Sequence, residues 1–460
     1  MAESLTAGGV PRRAQIHAVA AGFLGWTLDA FDFFVVIFML DVLAARFQVP
    51  KAAIVATLTA TLATRPLGAL IFGLLADRYG RRIPLMANVI FFSVVELLCG
   101  FSPNYTFFFI LRTLYGIGMG GEWGVGASLA MEMAPPRWRG VLSGILQSGY
   151  AIGNLLAAVA ARFILPNLGW RAMFWIGGLP ALLALYIRSR VPESEAWKQH
   201  RVATIGDVMR SAAGARYPLL LAAFVPMTIW AIALIRPNLL PGTWMLALLV
   251  VIFALMMGAS RHLTYLAVLM TFMMFLSHGT QDLYPDFLVH DRHISAAMAS
   301  WVAVIYTIGM MTGAVFFGEL SERIGRRRSL LCALALSMVV IPFWAFGGTL
   351  GVLIAGSFLM QAGVQGAWGI MPAHLNELAP DAARGLLPGL VYQLGILFAA
   401  PTNTIEYALR DRLGYSWAIA AFEIVTISLI AFTILFGRED RGRSFVNYEA
   451  MARVDKVRPS

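Results

Sequence analysis

Long apolar runs follow one another along this chain, too closely and too uniformly for the core of a water-soluble domain. A helix that crosses a bilayer needs about 20 mostly apolar residues. Runs of that kind lie near 18–42, 52–76, 83–102, 105–131, 140–163 and 170–188. A second set lies near 264–289, 296–318, 329–347, 350–375, 386–408 and 415–436. Between the sets, 217–235 and 243–259 are also apolar, but Arg236-Pro237 and Pro241-Gly242 interrupt them. They predict two short spans or, as the alternative, a hairpin lying in the membrane interface; two spans is the preferred reading. The pattern divides the chain into an N-terminal tail (1–17), a six-helix bundle (18–188), a loop with an apolar insertion (189–262), a second six-helix bundle (263–436) and a C-terminal tail (437–460). The expected fold class is therefore an all-α membrane protein.

The chain repeats itself. GLLADRYGRRIPL starts at Gly73 and GELSERIGRRRSL at Gly318; MEMAPPRWRGVLSG starts at Met131 and NELAPDAARGLLPG at Asn376. Each pair is 245 residues apart. Two separate motifs that share one offset point to a duplication. Because the copies have the same topology, the halves are parallel repeats about an axis along the membrane normal, with a substrate site expected between them near the midplane.

Charge orients the chain. Arg and Lys cluster after spans 2, 4, 6, 8 and 12 and before span 1, which places both termini and the 189–216 loop in the cytoplasm. Arg46, Lys51, Arg410 and Arg412 are exceptions. The net charge of +10 does not indicate nucleic acid, since the basic residues sit in short loops rather than on one face. Cys99 and Cys332 lie inside apolar runs and give no disulfide framework or zinc spacing. No cleavable signal peptide is expected, because the first apolar run contains Asp29 and Asp32.

The most specific motif is Gly73-x-x-Ala76-Asp77-Arg78-x-Gly80-Arg81-Arg82, in a tight turn between spans 2 and 3. Glycines allow two helix ends to approach, and Asp77 can cap a helix or pair with arginine. Gly318 to Arg328 is its weaker copy, and Glu319 and Arg323 in it are gating candidates. Glu132 and Arg139 are seven apart, as are Glu377 and Arg384. Ion pairs among these groups can break when the halves rock; static pairing at helix ends is the alternative.

Ionisable groups at membrane depth are costly and by default mark a site or a pair. Asp29 and Asp32 share a helix face. Arg65 lies midway along span 2, where it can partner either aspartate. Arg112 and Glu122 lie in span 4. Glu96, in span 3, reads best as a helix brace. Span 7 carries Ser277-His278-Gly279-Thr280-Gln281-Asp282-Leu283-Tyr284-Pro285, a polar run that must face protein or water. His278 and Asp282 are four apart, and histidine can relay a proton; Pro285 can break the helix. Gln361, Gln365 and Trp368 in span 10, and Tyr392, Gln393 and Asn403 in span 11, either line a cavity or join helices by hydrogen bonds, the latter being preferred. For Arg65, Arg112 and the two aspartates, a structural ion pair is the competing reading.

The Gly73–Arg82 motif resembles the signature loop of the major facilitator superfamily. SHGTQDLYP, GWTLDAFDFF, TRPLGALIFG, GGEWGVGASLAMEM and QGAWGIMPAHLNELAPD resemble its sialate:proton symporter family, in particular the lactate- and pyruvate-transporter-like members. The resemblance spans essentially the whole chain and implies a secondary transporter rather than an enzyme. Some members of the family carry two extra spans between the halves, which fits 217–259. The family's span 7 pattern departs here at Met274 and Asp286, and Asp286 adds a charge that could repel an anion or bind a proton. The implied activity is alternating-access symport of a small organic anion, a monocarboxylate such as lactate or pyruvate, with a proton as coupling ion and with no cofactor or metal. Arg65 or Arg112 would hold the carboxylate; Asp29, Asp32, His278 and Asp282 would be the proton sites. Sialic acid, another organic acid or a sugar is the alternative cargo, and a transporter-like sensor the non-transport alternative. The expected setting is a monomer, multi-pass in the inner or plasma membrane, whose partners are substrate, proton and lipid.

Overall fold

The computed structural model describes residues 11–236 and 239–446. Pro237, half of the break expected in the insertion, lies outside them, as do the far ends of both tails. The first half consists of α1 (Arg12–Phe38), a short α2 (Leu40–Phe47), α3 (Lys51–Tyr79), α4 (Arg82–Cys99), α5 (Tyr105–Met133), α6 (Arg139–Phe163) and the pair α7 (Leu165–Ile176) and α8 (Ala181–Arg190). The last two are bent by 41°, at a Gly177-Gly178-Leu179-Pro180 break. The linker forms α9 (Glu195–Gln199) and α10 (Ile205–Ala213), and the insertion forms α11 (Tyr217–Ile235) and α12 (Gly242–Ala259). The second half comprises α13 (Arg261–Gln281), α14 (Tyr284–His290), α15 (Ala296–Ile324), α16 (Arg326–Phe346), α17 (Leu350–Leu378), α18 (Leu387–Ala399), α19 (Thr402–Leu413) and α20 (Tyr415–Leu435).

In hydrocarbon a helix is the segment that satisfies its own backbone. Only the ends need help, and side chains supply it. Asn104 accepts from the Phe107 N–H at 2.9 Å, Ser260 from Leu263 at 3.2 Å and Thr349 from Val352 at 3.4 Å. Proline sets two of the breaks: Pro285 sits in the first turn of α14, and Pro401 separates α18 from α19.

The duplication carries through to the packing. A Cβ on Gly68 of α3 would lie 1.9 Å from the Ile117 carbonyl oxygen of α5. At the equivalent place a Cβ on Gly313 of α15 would lie 2.1 Å from the Ala362 oxygen of α17. Both crossings need glycine, because the backbones touch.

The halves meet along α6 with α15 and α17, and along α18 with α3 and α5. Eleven described helices, or twelve if α7–α8 is one span, are long and apolar enough to cross a membrane; α11 and α12 are among them. The two insertion helices pack on each other, α11 also against α3 and α12 against α13. The rings of Trp230 and Phe253 rest on Phe398 of α18, so the pair covers the seam between the halves. The outer face of α12, with Trp244, Leu246, Val250 and Met257, is exposed and apolar.

Candidate functional site

At the end bearing the basic loops, charges on both halves form one buried network with repeat symmetry. Glu132 of α5 binds Arg81 of its own half at 2.8 Å and Arg384 of the other half at 3.3 Å. Glu377 of α17 binds Arg326 of its own half at 2.9 Å and Arg139 of the other half at 3.3 Å. Each member is 245 residues from its counterpart. The residues seven apart thus do not pair with each other; they exchange partners across the interface. Asp77 accepts from the Gly385 and Leu386 N–H groups, both at 2.8 Å. Its counterpart Glu322 accepts from the Gly140 N–H.

The network lies almost wholly out of water, and its loop arginines respond in opposite ways. Burial alone pulls the Arg81 guanidinium down, but Glu132 and Asp77 outweigh it and hold Arg81 above its ordinary value. At Arg384 burial wins over Glu132 and Asp381, and the value falls.

Two sequence assignments need correction here. Glu319 and Arg323 do pair, but on the exposed surface, with side chains 52% and 73% accessible. The residues that match Asp77 and Arg81 are Glu322 and Arg326; the 245-residue offset, applied position by position, points to both. Arg78 lies over its neighbour Tyr79, and Arg82 donates to the Arg188 carbonyl, so neither joins the network. Gly73 does serve close approach, since a Cβ there would lie 2.7 Å from the Leu386 Cα. Gly80 has φ 105°, and the Glu193 carboxylate beneath it accepts from the Arg81 and Arg82 N–H groups.

The C-terminal segment crosses this closed end, which the sequence did not suggest. The Phe445 ring lies 3.8 Å from the Arg139 guanidinium carbon and 3.9 Å from that of Arg384. The Arg443 carbonyl accepts from Arg139 at 2.9 Å. The Arg443 side chain donates to the Glu377 and Ala379 carbonyls and to Asp381.

Deeper in, contacts between the halves continue to mid-depth. Ser143 donates to the Gly369 carbonyl at 2.6 Å and accepts from the Ala373 N–H at 3.0 Å. Gln393 donates to the Gly120 carbonyl at 3.2 Å. Tyr392 stacks on Trp123 at 4.1 Å and meets Trp26 and Trp368 edge-on. Trp26 in turn stacks on Tyr150. Beyond this aromatic floor, no hydrogen bond or ion pair among the described residues joins the halves.

Arg65 of α3 sits at the floor. Only 3% of it is exposed, and its Nε and Nη2 have no hydrogen-bond partner. It lies in electrostatic range of Asp29, Glu122, Tyr150, His278 and Tyr392, groups drawn from both halves. The expected ion pair with Asp29 or Asp32 does not form among the described residues. Asp29 instead accepts from the Tyr115 hydroxyl, and both Asp32 oxygens lack a partner beside Glu96 and Arg112. Glu122 packs on α1 where Gly25 leaves room; a Cβ there would lie 2.1 Å from its Oε1.

Arg112 is not the open carboxylate ligand that its position in span 4 suggested. Its Nη1 bonds Glu96 at 2.7 Å, both side chains fully buried, and it lies 4.2 Å over the Tyr115 ring. Everything it touches belongs to the first bundle, where the pair braces α4 against α5.

On the other wall, α13 stops at Gln281 and Asp282 occupies the break before α14. His278 faces Asp282 at 3.1 Å, with 33% and 36% of their side chains exposed. Asn403 of α19 donates to Asp282 at 3.3 Å. Gln281 donates to Ser277 and Gln361, Gln361 to the Thr280 carbonyl, and Gln365 to Ser277. These glutamines therefore join α13 to α17, which is the preferred reading for Gln361 and Gln365; Gln281, expected among the substrate and proton residues, takes part in the same bonds. Met274 is buried. Asp286 accepts from Tyr415 at 2.8 Å and pairs with His290 at 2.9 Å. It lines an open groove of about 340 Å³ at the rim with His290, Asp291, Tyr407 and Arg410, away from the floor.

Comparison with known proteins agrees with this architecture. Residues 20–205 match the family model described as "Sugar (and other) transporter", and residues 266–457 match "Major Facilitator Superfamily". The chain is 31% identical over 85% of its length to a carboxylic acid transporter protein homolog of Saccharomyces cerevisiae, spanning 61% of that relative. It is 28% identical to a probable 4-methylmuconolactone transporter of Cupriavidus pinatubonensis, covering 93% of this chain and 91% of the other. It is 27% identical to the sialic acid transporter NanX of Escherichia coli, covering 91% and 94%. Among solved structures, the proton:xylose symporter XylE superposes with a TM-score of 0.69 at 20% identity, covering 95% of this chain and 99% of that one. Two helical bundles built from one repeated unit fit these matches, and the chain belongs to the major facilitator superfamily, a family of transporters rather than enzymes.

Proposed function

We propose that this chain is a proton-coupled symporter of small organic anions, monocarboxylates of the lactate or pyruvate class, working by alternating access. The observation that carries the reading is Arg65: a guanidinium at the cleft floor with two donor nitrogens unclaimed by protein. An arginine fork binds a carboxylate through two parallel hydrogen bonds. The aromatic floor of Trp26, Trp123, Tyr150 and Tyr392 would bound the ligand's apolar side. Relatives named for carboxylic acid and sialic acid transport favour an acid over a neutral sugar.

Coupling has an energetic motive. Moving one anion into a negative interior costs about 2.3 kcal/mol per 100 mV, and a co-transported proton cancels that charge. His278 and Asp282, partly exposed in the cleft, are the first proton acceptors in this reading. In this reading the basic loops are cytoplasmic, the closed basic end is the inner end, and the crossed Arg–Glu network is the inner gate. Asp77, Glu322 and the segment through Phe445 hold that gate shut.

The test is uptake into proteoliposomes of lactate, pyruvate, sialic acid, an aromatic acid and a sugar, with and without an imposed inward proton gradient. The expected result is monocarboxylate accumulation that the gradient drives. Accumulation indifferent to the gradient would reject coupling, and uptake of the sugar alone would reject the cargo.

A further inference from the structure

We propose that Glu406 of α19 and Glu423 of α20 form a proton-holding pair inside the second bundle, reached from the cleft through Asp282. The inference rests on the symport reading above and identifies where the coupled proton resides. Neither glutamate belongs to a repeated motif: the positions 245 residues earlier are Ala161 and Gly178.

Both side chains are enclosed, at 1% and 0% exposure, and all four of their carboxyl oxygens lack a hydrogen-bond partner. Three placements draw them to the same part of α13. Asn403 and Glu406 are three apart and share a face of α19; Asn403 already donates to Asp282, so that face looks toward α13. Asp282 is an electrostatic neighbour of Glu406, and Glu406 of Glu423. Glu423 rests on Gly279, where a Cβ would lie 2.2 Å from its Oε1. Gly279 and Asp282 are themselves three apart on one face of α13. The packing of Glu122 on Gly25 in the first bundle follows the same design: a carboxyl leaning on a glycine of the bundle's first helix.

A carboxylate with no partner in this setting is costly, while a neutral carboxyl is tolerable. The neighbours offer no fixed counter-charge. α20 packs against α13, α16 and α19. α13 presents Asp282 and its partner His278. The ionisable groups of α16, Arg326, Arg327, Arg328 and Cys332, fall in its first seven residues, toward the basic end. Beyond Glu406, α19 carries Tyr407, Arg410, Asp411 and Arg412 at its far end, where Arg410 pairs with Asp411 at 3.1 Å. In this conformation each glutamate therefore holds its proton. When the cleft wets the pair, one O–H bond breaks and the proton passes to the Asp282 carboxylate and on to His278 or water. The glutamate keeps the electron pair as a carboxylate, and the reverse step reloads it. Half-exposed Asp282 is the port, and the enclosed pair is the store.

The experiment uses the full chain in proteoliposomes, with lactate as the probe and two readouts. One is lactate-driven proton uptake followed with an enclosed pH dye; the other is lactate–lactate exchange, which needs no net proton movement. The variants are E406Q, E423Q and the double variant, with E406D and E423D as conservative partners that keep a titratable group. We expect E406Q/E423Q to retain exchange but to lose proton uptake per lactate at least tenfold, and the aspartates to restore part of it. Infrared difference spectra on a pH step should show a buried carboxyl band in the wild type that each glutamine variant diminishes; this readout needs protein but no transport. Proton uptake per lactate equal to wild type in E406Q/E423Q would overturn the proposal, and so would a band unchanged in both single variants. A wild type that moves no proton with any acid, or that requires sodium, would reject the symport reading itself and the store with it.

Discussion

Arg65 and Arg112 look alike in the sequence, single arginines within apolar runs, and the structure gives them opposite surroundings. Arg112 forms an ion pair with a carboxylate, and Arg65 forms none among the described residues. Removing one member of a buried pair leaves an uncompensated charge and costs about 3–5 kcal/mol, whereas removing both costs much less. R112Q should therefore lower the midpoint of thermal unfolding in detergent, and E96Q/R112Q should recover most of the loss; equal midpoints for the single and double variants would contradict the brace. Arg65 should behave in the opposite sense, because its donors have no protein partner to strand. R65K keeps the charge and loses the fork. A charge-assisted hydrogen bond is worth about 1.5–3 kcal/mol, so its KM for a monocarboxylate should rise roughly ten- to a hundredfold with little change in unfolding. The sequence could mark both arginines as expensive, but not separate them, because Glu96 reaches Arg112 through tertiary packing of α4 on α5. The same limit hid Glu406 and Glu423: a lone glutamate in an apolar run shows no partner, and these two meet only through α13.

At the scale of elements, the sequence was most informative where local chemistry decides. Apolar length gave the bundle helices and the insertion pair, and Pro285 gave the break that places Asp282. It was least informative where a segment without periodicity docks on distant surfaces. The strap from Arg441 to Val446 has no helical pattern, yet Phe445 lies between two guanidinium groups from different halves. A desolvated cation–π contact contributes up to about 2 kcal/mol. F445A should therefore weaken closure of the basic end by about 1–2 kcal/mol, a factor of 5–30 in the ratio of closed to open molecules. Accessibility of a cysteine placed at Leu386, a buried side chain just before α18 whose backbone lies against Gly73 of the other half, reports that ratio. Labelling no faster in F445A than in the parent would show that the strap rests on the gate without holding it.

For the whole molecule, the duplication explains both the gate and its economy. Superposing the halves through the 245-residue offset maps Arg81 on Arg326, Glu132 on Glu377, and Arg139 on Arg384. It does not map the polar groups of the cleft: Met310 stands opposite Arg65, Ser357 opposite Arg112, and Ala367 opposite Glu122. The repeat thus preserves the parts that would move as a symmetric pair, while the parts that would bind cargo and proton have diverged between halves. Symmetry also makes the gate redundant. Each glutamate holds one arginine of its own half and one of the other, so of the four Arg–Glu pairs opening breaks only the two crossed ones and leaves Arg81–Glu132 and Arg326–Glu377 intact to neutralise the freed carboxylates. R139Q and R384Q should each raise the open population modestly. The double variant should exceed the sum of the two by about 0.5–3 kcal/mol of coupling, since the crossed pairs share one interface. Distances between spin labels on the basic ends of α5 and α17, measured in the four members of this cycle, give the populations directly. Strict additivity would mean that the crossed pairs act as separate latches, and the reciprocal exchange of partners would then have no mechanical role.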